Sequence, residues 1–177
     1  MKIRILIALG ALAITLGAPR SVHAQNAPAV TVSGGWNFLH VDEDGDDDLS
    51  NFPAGWYADV AARVAGPLSV VGQISGNYKE VNEVDLSIHT FMGGVRYTMA
   101  SSVKPFVQVL FGAAHSKVTF VGVDESQNDG ALQIGAGVDV AGGGPVGVRI
   151  GADYIRAFTE GEGTNAVRFG VGISFGR

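Results

Sequence analysis

The chain has no cysteine among its 177 residues, which excludes disulfide staples and thiolate metal sites. Proline is scarce, with six residues, and charged side chains make up only 16% of the sequence. Beyond residue 24 no run of eighteen apolar residues occurs. The sequence therefore predicts no membrane-spanning helix in that part of the chain.

The first residues follow a pattern of their own. Lys2 and Arg4 precede an apolar run over residues 5–18, and Ala24 ends a short stretch after it. This order is typical of a secretory signal peptide, and the run is short for a membrane anchor. We expect residues 1–24 to be a cleaved signal peptide and residues 25–177 to form one domain.

Positive charge is also scarce. Residues 25–177 hold nine Lys and Arg against seventeen Asp and Glu, a formal charge of −8. This balance argues against nucleic acid as a partner.

What the chain does have is alternation. In residues 166–175 five apolar side chains alternate with small or polar ones, and they are Val167, Phe169, Val171, Ile173 and Phe175. A period of two places the two sets on opposite faces of a strand. The length, about ten residues, is that of a tilted strand crossing a bilayer.

The same alternation recurs along the chain. It predicts eight strands, at residues 29–42, 55–65, 68–79, 86–99, 105–120, 131–141, 146–158 and 166–175. The fourth changes phase near Thr90, which predicts a β-bulge there. Long connections alternate with short turns, as in an all-β, antiparallel up-and-down barrel.

The acidic residues are segregated. Fourteen of the seventeen lie in or beside the four long connections, and none lies in a short turn. One end of the barrel is therefore expected to be strongly acidic.

Alternation alone leaves open which face points inward. The polar faces carry mainly Gly, Ala, Ser and Gln, which are too weakly polar to form the water-exposed outer surface of a soluble barrel. Aromatic side chains lie near the strand ends. Both features favour a transmembrane barrel with its apolar face toward lipid. Its interior would then hold an ion network made of Asp59, Arg63, Arg96, Asp139, Arg149, Asp153 and Arg168.

Residues 92–97 (MGGVRY) and 103–114 (VKPFVQVLFGAA) resemble the central hairpin of small outer membrane β-barrel proteins of the OmpA-like and opacity type. The resemblance implies a place in the outer membrane. It also implies contact with membrane lipid and lipopolysaccharide, and with the barrel-insertion machinery during assembly. We expect a monomer.

Asp42, Asp44, Asp46 and Asp48 alternate in the first long connection. Carboxylates at this spacing can bind Ca²⁺, although the EF-hand pattern fails at Asp47 and Pro53. We expect a solvated acidic loop that binds Ca²⁺ or other divalent cations weakly, and no cofactor.

No grouping of histidine, serine and acid indicates an enzyme, because adjacent His115 and Ser116 point to opposite faces. The sequence predicts a structural or surface-interaction role for a barrel whose acidic loops face outside. Two alternatives stay open at this point: a narrow, low-conductance pore, and a soluble periplasmic barrel of lipocalin type that binds an apolar ligand.

Overall fold

A computed structural model describes residues 30–42, 50–81, 84–120, 123–141, 145–158 and 163–176. These residues form one closed barrel of eight antiparallel strands. The strands are β1 (Val30–Asp42), β2 (Asn51–Ala65), β3 (Leu68–Val81), β4 (Val84–Thr98), β5 (Val103–Phe120), β6 (Val123–Ala141), β7 (Val146–Phe158) and β8 (Gly163–Phe175). The expected fold class is thus confirmed.

Each strand pairs with its neighbours in sequence, and β1 pairs with β8 to close the barrel. The β2–β3 turn is Gly66-Pro67, and Gly66 has a φ of +49°, a left-handed conformation that favours glycine. The last residues of β2, β4, β6 and β8 lie at one end of the barrel with the first residues of β1, β3, β5 and β7, and we call it the turn end. The opposite ends of the same strands define the loop end. Among the described residues, no helix is long and apolar enough to span a membrane.

Several strands are longer than the sequence predicted. β6 begins at Val123, whereas a polar loop was expected up to residue 130, and β2 begins at Asn51 before Pro53. β5 gains two residues at the turn end, where it begins at Val103, and all of the other added length is at the loop end. There a strand can meet water on its outer face, so its sequence loses the contrast between apolar and polar faces that reveals a strand.

The bulge predicted near Thr90 is wrong. β4 pairs without interruption with both β3 and β5, and the register shifts lie in β1–β2 near Phe38 and in β2–β3 near Val64. Leu86 and Ile88 therefore keep the phase of Thr90 and pack against the buried interior cluster. An apolar residue at an inward position had been misread as a change of phase.

The outer surface of the barrel is apolar. Large hydrophobic side chains on alternating positions are exposed on every strand, among them Trp36, Val70, Phe111 at 62% and Ile150. Exposure of this extent suits lipid and not water. The soluble-barrel alternative, which needs these side chains inside, is wrong.

Candidate functional site in the barrel lumen

The interior divides into two zones. Toward the turn end it is filled by charged and amide side chains, here called the lumen network: Asp59, Gln73, Ser75, Arg96, Gln108, Gln133, Asp139, Arg149, Asp153 and Arg168. Toward the loop end it is lined by apolar side chains. Polar side chains thus occupy only part of the interior along the barrel length.

Asp59 on β2 is the centre of the network. Its carboxylate accepts a hydrogen bond from Arg96 Nη1 at 3.0 Å and from Arg149 Nη1 at 2.8 Å. All three side chains are at most 5% exposed. Because the two arginines come from β4 and β7, on different sides of the barrel, Asp59 ties opposite walls together.

Arg149 also makes a two-pronged contact with Asp139. Its Nε and Nη2 donate to the two carboxylate oxygens, each at 2.8 Å. The two residues face each other directly in the register of β6 and β7. Bidentate pairs of this kind are among the stronger hydrogen-bonded ion pairs.

Arg168 and Asp153 form the third pair, also directly opposed, between β8 and β7. Arg168 donates from Nε and Nη2 to Asp153 Oδ2 at 3.1 and 2.8 Å. Its remaining donors reach across the lumen to Ser75 Oγ at 3.0 Å and Gln73 Oε1 at 2.6 Å on β3.

Amide side chains join these pairs into one network, and the sequence analysis did not single them out. Gln108 accepts from Arg96 at 2.7 Å and donates to Asp153 at 2.9 Å. Gln133 donates to Gln73 at 2.9 Å. An uncharged amide inside a strand carries no signal in the sequence except its position on the polar face.

The network is electrically balanced. It contains three guanidinium groups and three carboxylates, and every one of them is in at least one ion pair. A charge in such an interior is costly unless it is paired and hydrogen-bonded. The balance explains how a lipid-surrounded barrel can hold six charges.

Phe106 is a buried aromatic ring inside this polar zone. The guanidinium carbons of Arg96 and Arg149 lie 4.8 Å from its centroid in both cases. Arginines stacked on an aromatic ring gain cation–π energy, which is larger in a desolvated site. Phe106 thus contacts both of the guanidinium groups that donate to Asp59.

We expect Phe106→Leu to lower the free energy of unfolding by about 1 to 2 kcal/mol, because leucine keeps most of the volume and loses both cation–π contacts. Urea titration in lipid vesicles measures it. Phe111→Leu on the same strand is the control, since Phe111 is 62% exposed on the outer surface. Equal losses in the two variants would contradict the role given to Phe106.

Arg63 does not join the network. It is exposed near the turn end of β2 and makes no ion pair within the described part of the chain. The four-residue spacing from Asp59 placed it on the inward face, but it lies beyond the packed zone. There it borders a cavity of about 50 Å³ near Arg96 and Lys104.

Most of the predicted cation site lies outside the described residues. Asp42 ends β1 and is exposed, while Asp44, Asp46 and Asp48 lie outside the described residues. Over the ranges described, no group of three or more His, Asp or Glu side chains could hold a metal ion. Weak binding of divalent cations at this loop stays a prediction.

The three histidines after residue 24 contact polar side chains near the loop end. His40 lies 2.9 Å from the Asn51 side chain, His115 lies 2.8 Å from Asn128, and Nε2 of His89 lies 3.1 Å from the hydroxyl oxygen of Tyr78. These partners are amides and a phenol, so the described contacts of these histidines do not form a triad of His, Ser and acid.

Above the network the interior opens into a cavity of about 350 Å³, here called the outer cup. Its wall is apolar and includes Leu39, Val41, Ile88, Ala114, Ile155 and Ala166. Its rim toward the loop end is polar, with Ser116, Gln127, Asp129 and Thr164. This zone was not predicted, because the inward positions were expected to be polar along the whole barrel.

Comparisons with known proteins agree with this architecture. The fold is similar to that of neisserial surface protein A, with a TM-score of 0.71 and 14% identity over 85% of this chain and 99% of that one. It is also similar to Ail, the attachment invasion locus protein of Yersinia pestis, solved in complex with the heparin analogue sucrose octasulfate. The TM-score is 0.61, with 18% identity over 86% of this chain and 100% of that one.

The N-terminal β-barrel domain of Pseudomonas aeruginosa OprF gives a TM-score of 0.52, with 12% identity over 85% of this chain and 100% of that one. Among curated protein sequences, none matches this chain. The family model described as outer membrane protein beta-barrel domain matches residues 6–175. The chain is therefore an outer membrane protein and belongs to the outer membrane protein beta-barrel domain family.

Proposed function

We propose that this barrel has a structural and surface-interaction role in the outer membrane and that its lumen does not conduct. The observation that carries the proposal is the lumen network, to which seven of the eight strands contribute side chains. Each charged member is held by neighbours on other strands. Opening a path would require several ion pairs to break together in a site with little water.

The spaces left around the network are small. A cavity of about 20 Å³ lies beside Tyr57, Asp59 and Phe106, and one of about 50 Å³ lies at the turn end. The smaller one has room for about one water molecule. An eight-stranded barrel is just wide enough for its own side chains to fill, and these fill it. The narrow-pore alternative would need a wider passage.

The loop end supports the surface role. Fourteen acids lie in or beside the long connections, and only Lys79, Lys117 and Arg156 accompany them as basic residues in residues 79–90, 115–130 and 156–165. Such a surface attracts cations and cationic partners. Divalent cations would bridge it to the phosphates of lipopolysaccharide, and no catalysis is part of the proposal.

The same charge argues against one partner class. Ail was solved with a heparin analogue, a polysulfate. The acidic loop end of this chain would repel a polyanion, so we expect sulfated glycans not to be its ligands.

Planar-bilayer recording tests the closed lumen. The full-length purified barrel should add no discrete current steps to the baseline of the lipid alone. The double variant Asp139→Ala, Arg149→Ala removes a neutral pair and vacates space, so it is the positive control and should produce steps. Regular steps from the unmodified protein would contradict the proposal and favour the narrow pore.

A further inference from the structure

The outer cup is a cavity that the closed lumen does not explain. Its volume of about 350 Å³ lies above the lumen network, at the loop end. Leu39, Val41, Ile155 and Ala166 in its wall are each less than a tenth exposed. The space exists because alanines stand at inward positions 114, 157 and 166, where the network zone has arginines and glutamines.

We propose that the outer cup binds a small, compact apolar molecule that carries a protonated amine. The apolar wall of the cup is the reason for expecting an apolar ligand body. Water in contact with aliphatic side chains finds few hydrogen-bond partners, so its displacement by an apolar group is favourable. A cavity of about 150 Å³ lined by aliphatic side chains holds benzene, so this one suits a body of about a dozen heavy atoms.

The negative charge at the rim of the cup is the reason for expecting a protonated amine on the ligand. Asp129 is a carboxylate on the inward face of β6, and no Lys, Arg or His is among the residues that line the cavity in the described part of the chain. Gln127 Nε2 donates to Asp129 Oδ1 at 3.0 Å, which holds the carboxylate in place. Among the described residues, Asp129 is in none of the ion pairs. A cationic head is therefore favoured at the rim over an anionic one.

The floor determines what happens to such a ligand. Beneath the cup lie Ser75 and Thr90, hydrogen-bonded to each other at 2.7 Å, and then Arg168 of the lumen network. A bound molecule can leave only the way it entered. The site thus retains a ligand from outside and does not transport it.

The test uses the full-length barrel in nanodiscs of zwitterionic lipid, with empty nanodiscs as background. The probes are 1-adamantylamine and 1-adamantanecarboxylate, which share one apolar body and differ in charge. Methyl NMR should show saturable shifts for Leu39, Val41 and Ile88 with the amine. Outward-facing methyl groups of Val107 and Val148 should not shift in this way. The absence of saturable shifts at the cup methyl groups would overturn the proposal.

Two variants locate the site. Ala114→Leu fills the cup and should abolish binding, while Ala113→Leu, the outward-facing neighbour, should leave it unchanged. Amine binding that survives Ala114→Leu would overturn the assignment. Asp129→Asn at the rim should weaken the binding of 1-adamantylamine about tenfold, since it removes one charge-assisted hydrogen bond. It should not weaken the binding of 1-adamantanecarboxylate. If Asp129→Asn leaves the preference for the amine unchanged, the role of Asp129 is overturned, whether or not Ala114→Leu folds.

This inference is independent of the closed lumen. Conductance by a barrel that still binds the amine would contradict only the proposed function, and absence of binding to a barrel that does not conduct would contradict only this inference.

Discussion

Replacing Arg149 by leucine is expected to lower the free energy of unfolding by about 3 to 5 kcal/mol. Arg149 is 4% exposed and pairs with both Asp59 and Asp139. Leucine would leave Asp139 as a buried carboxylate without the guanidinium group that it contacts. Asp59 would keep only Arg96 of its two arginine partners. Urea titration in lipid vesicles, followed by tryptophan fluorescence and by the shift in gel mobility on boiling, measures the loss.

Arg63→Leu is the matched control. The substitution is chemically the same and lies on the same barrel, but Arg63 is exposed and outside the network. We expect a change within about 0.5 kcal/mol, as for most surface substitutions. Equal losses of unfolding free energy in the two variants would mean that Arg149 stabilises the barrel only through its positive charge and not through its buried ion pairs.

Gly112→Ala should also destabilise the barrel strongly. A Cβ built on Gly112 would overlap the carbonyl oxygen and carbon of Phe91 and approach the Cα of Met92, all backbone atoms of β4. Backbone cannot move aside as a side chain can, so the β4–β5 pair must separate locally. We expect a loss of about 3 kcal/mol or failure to fold, which is the range of strong core defects.

Gly72→Ala supplies the contrast, since a Cβ at Gly72 meets no atom within 4 Å. It should be neutral or stabilise the barrel by up to about 1 kcal/mol, because alanine reduces the freedom of the unfolded chain. The fraction of protein that shows the folded gel mobility after refolding into vesicles distinguishes the two. A Gly112→Ala protein as stable as Gly72→Ala would show that the strands are not packed so closely there.

The strands and the faces of the membrane-spanning part could be predicted from sequence for a physical reason. Lipid and a polar interior impose opposite demands on successive residues, so alternation is strong there. The inward positions of Asp59, Arg96, Asp139, Arg149, Asp153 and Arg168 follow from that alternation.

The partners of those residues could not be predicted in the same way. Which carboxylate meets which guanidinium depends on the register between strands, and the sequence of one strand does not contain it. Arg63 shares the inward phase of Asp59, yet its distance along β2 takes it out of the packed zone. The same holds for Phe106, since its contacts with two arginines arise only when three strands come together.

The loop end was hardest to predict. There the inward side is apolar at Leu86 and Ile88, which reverses the pattern of the network zone. This reversal in the sequence imitates the change of phase that a bulge produces. β6 from Val123 to Gly130 was taken for a loop for a related reason. Its outer face meets water, so that stretch has no apolar stripe to mark it as a strand.

The closed, ion-paired lumen is tested most directly by hydrogen exchange at the arginine Nε–H groups, followed by ¹⁵N NMR of the full-length barrel in nanodiscs. The Nε–H groups of Arg96, Arg149 and Arg168 donate to buried oxygens at 3.0, 2.8 and 3.1 Å. We predict that these three signals exchange far more slowly than those of exposed Arg63 and Arg156. Exchange of all five at the rate of free arginine would mean a water-filled lumen and would contradict the account.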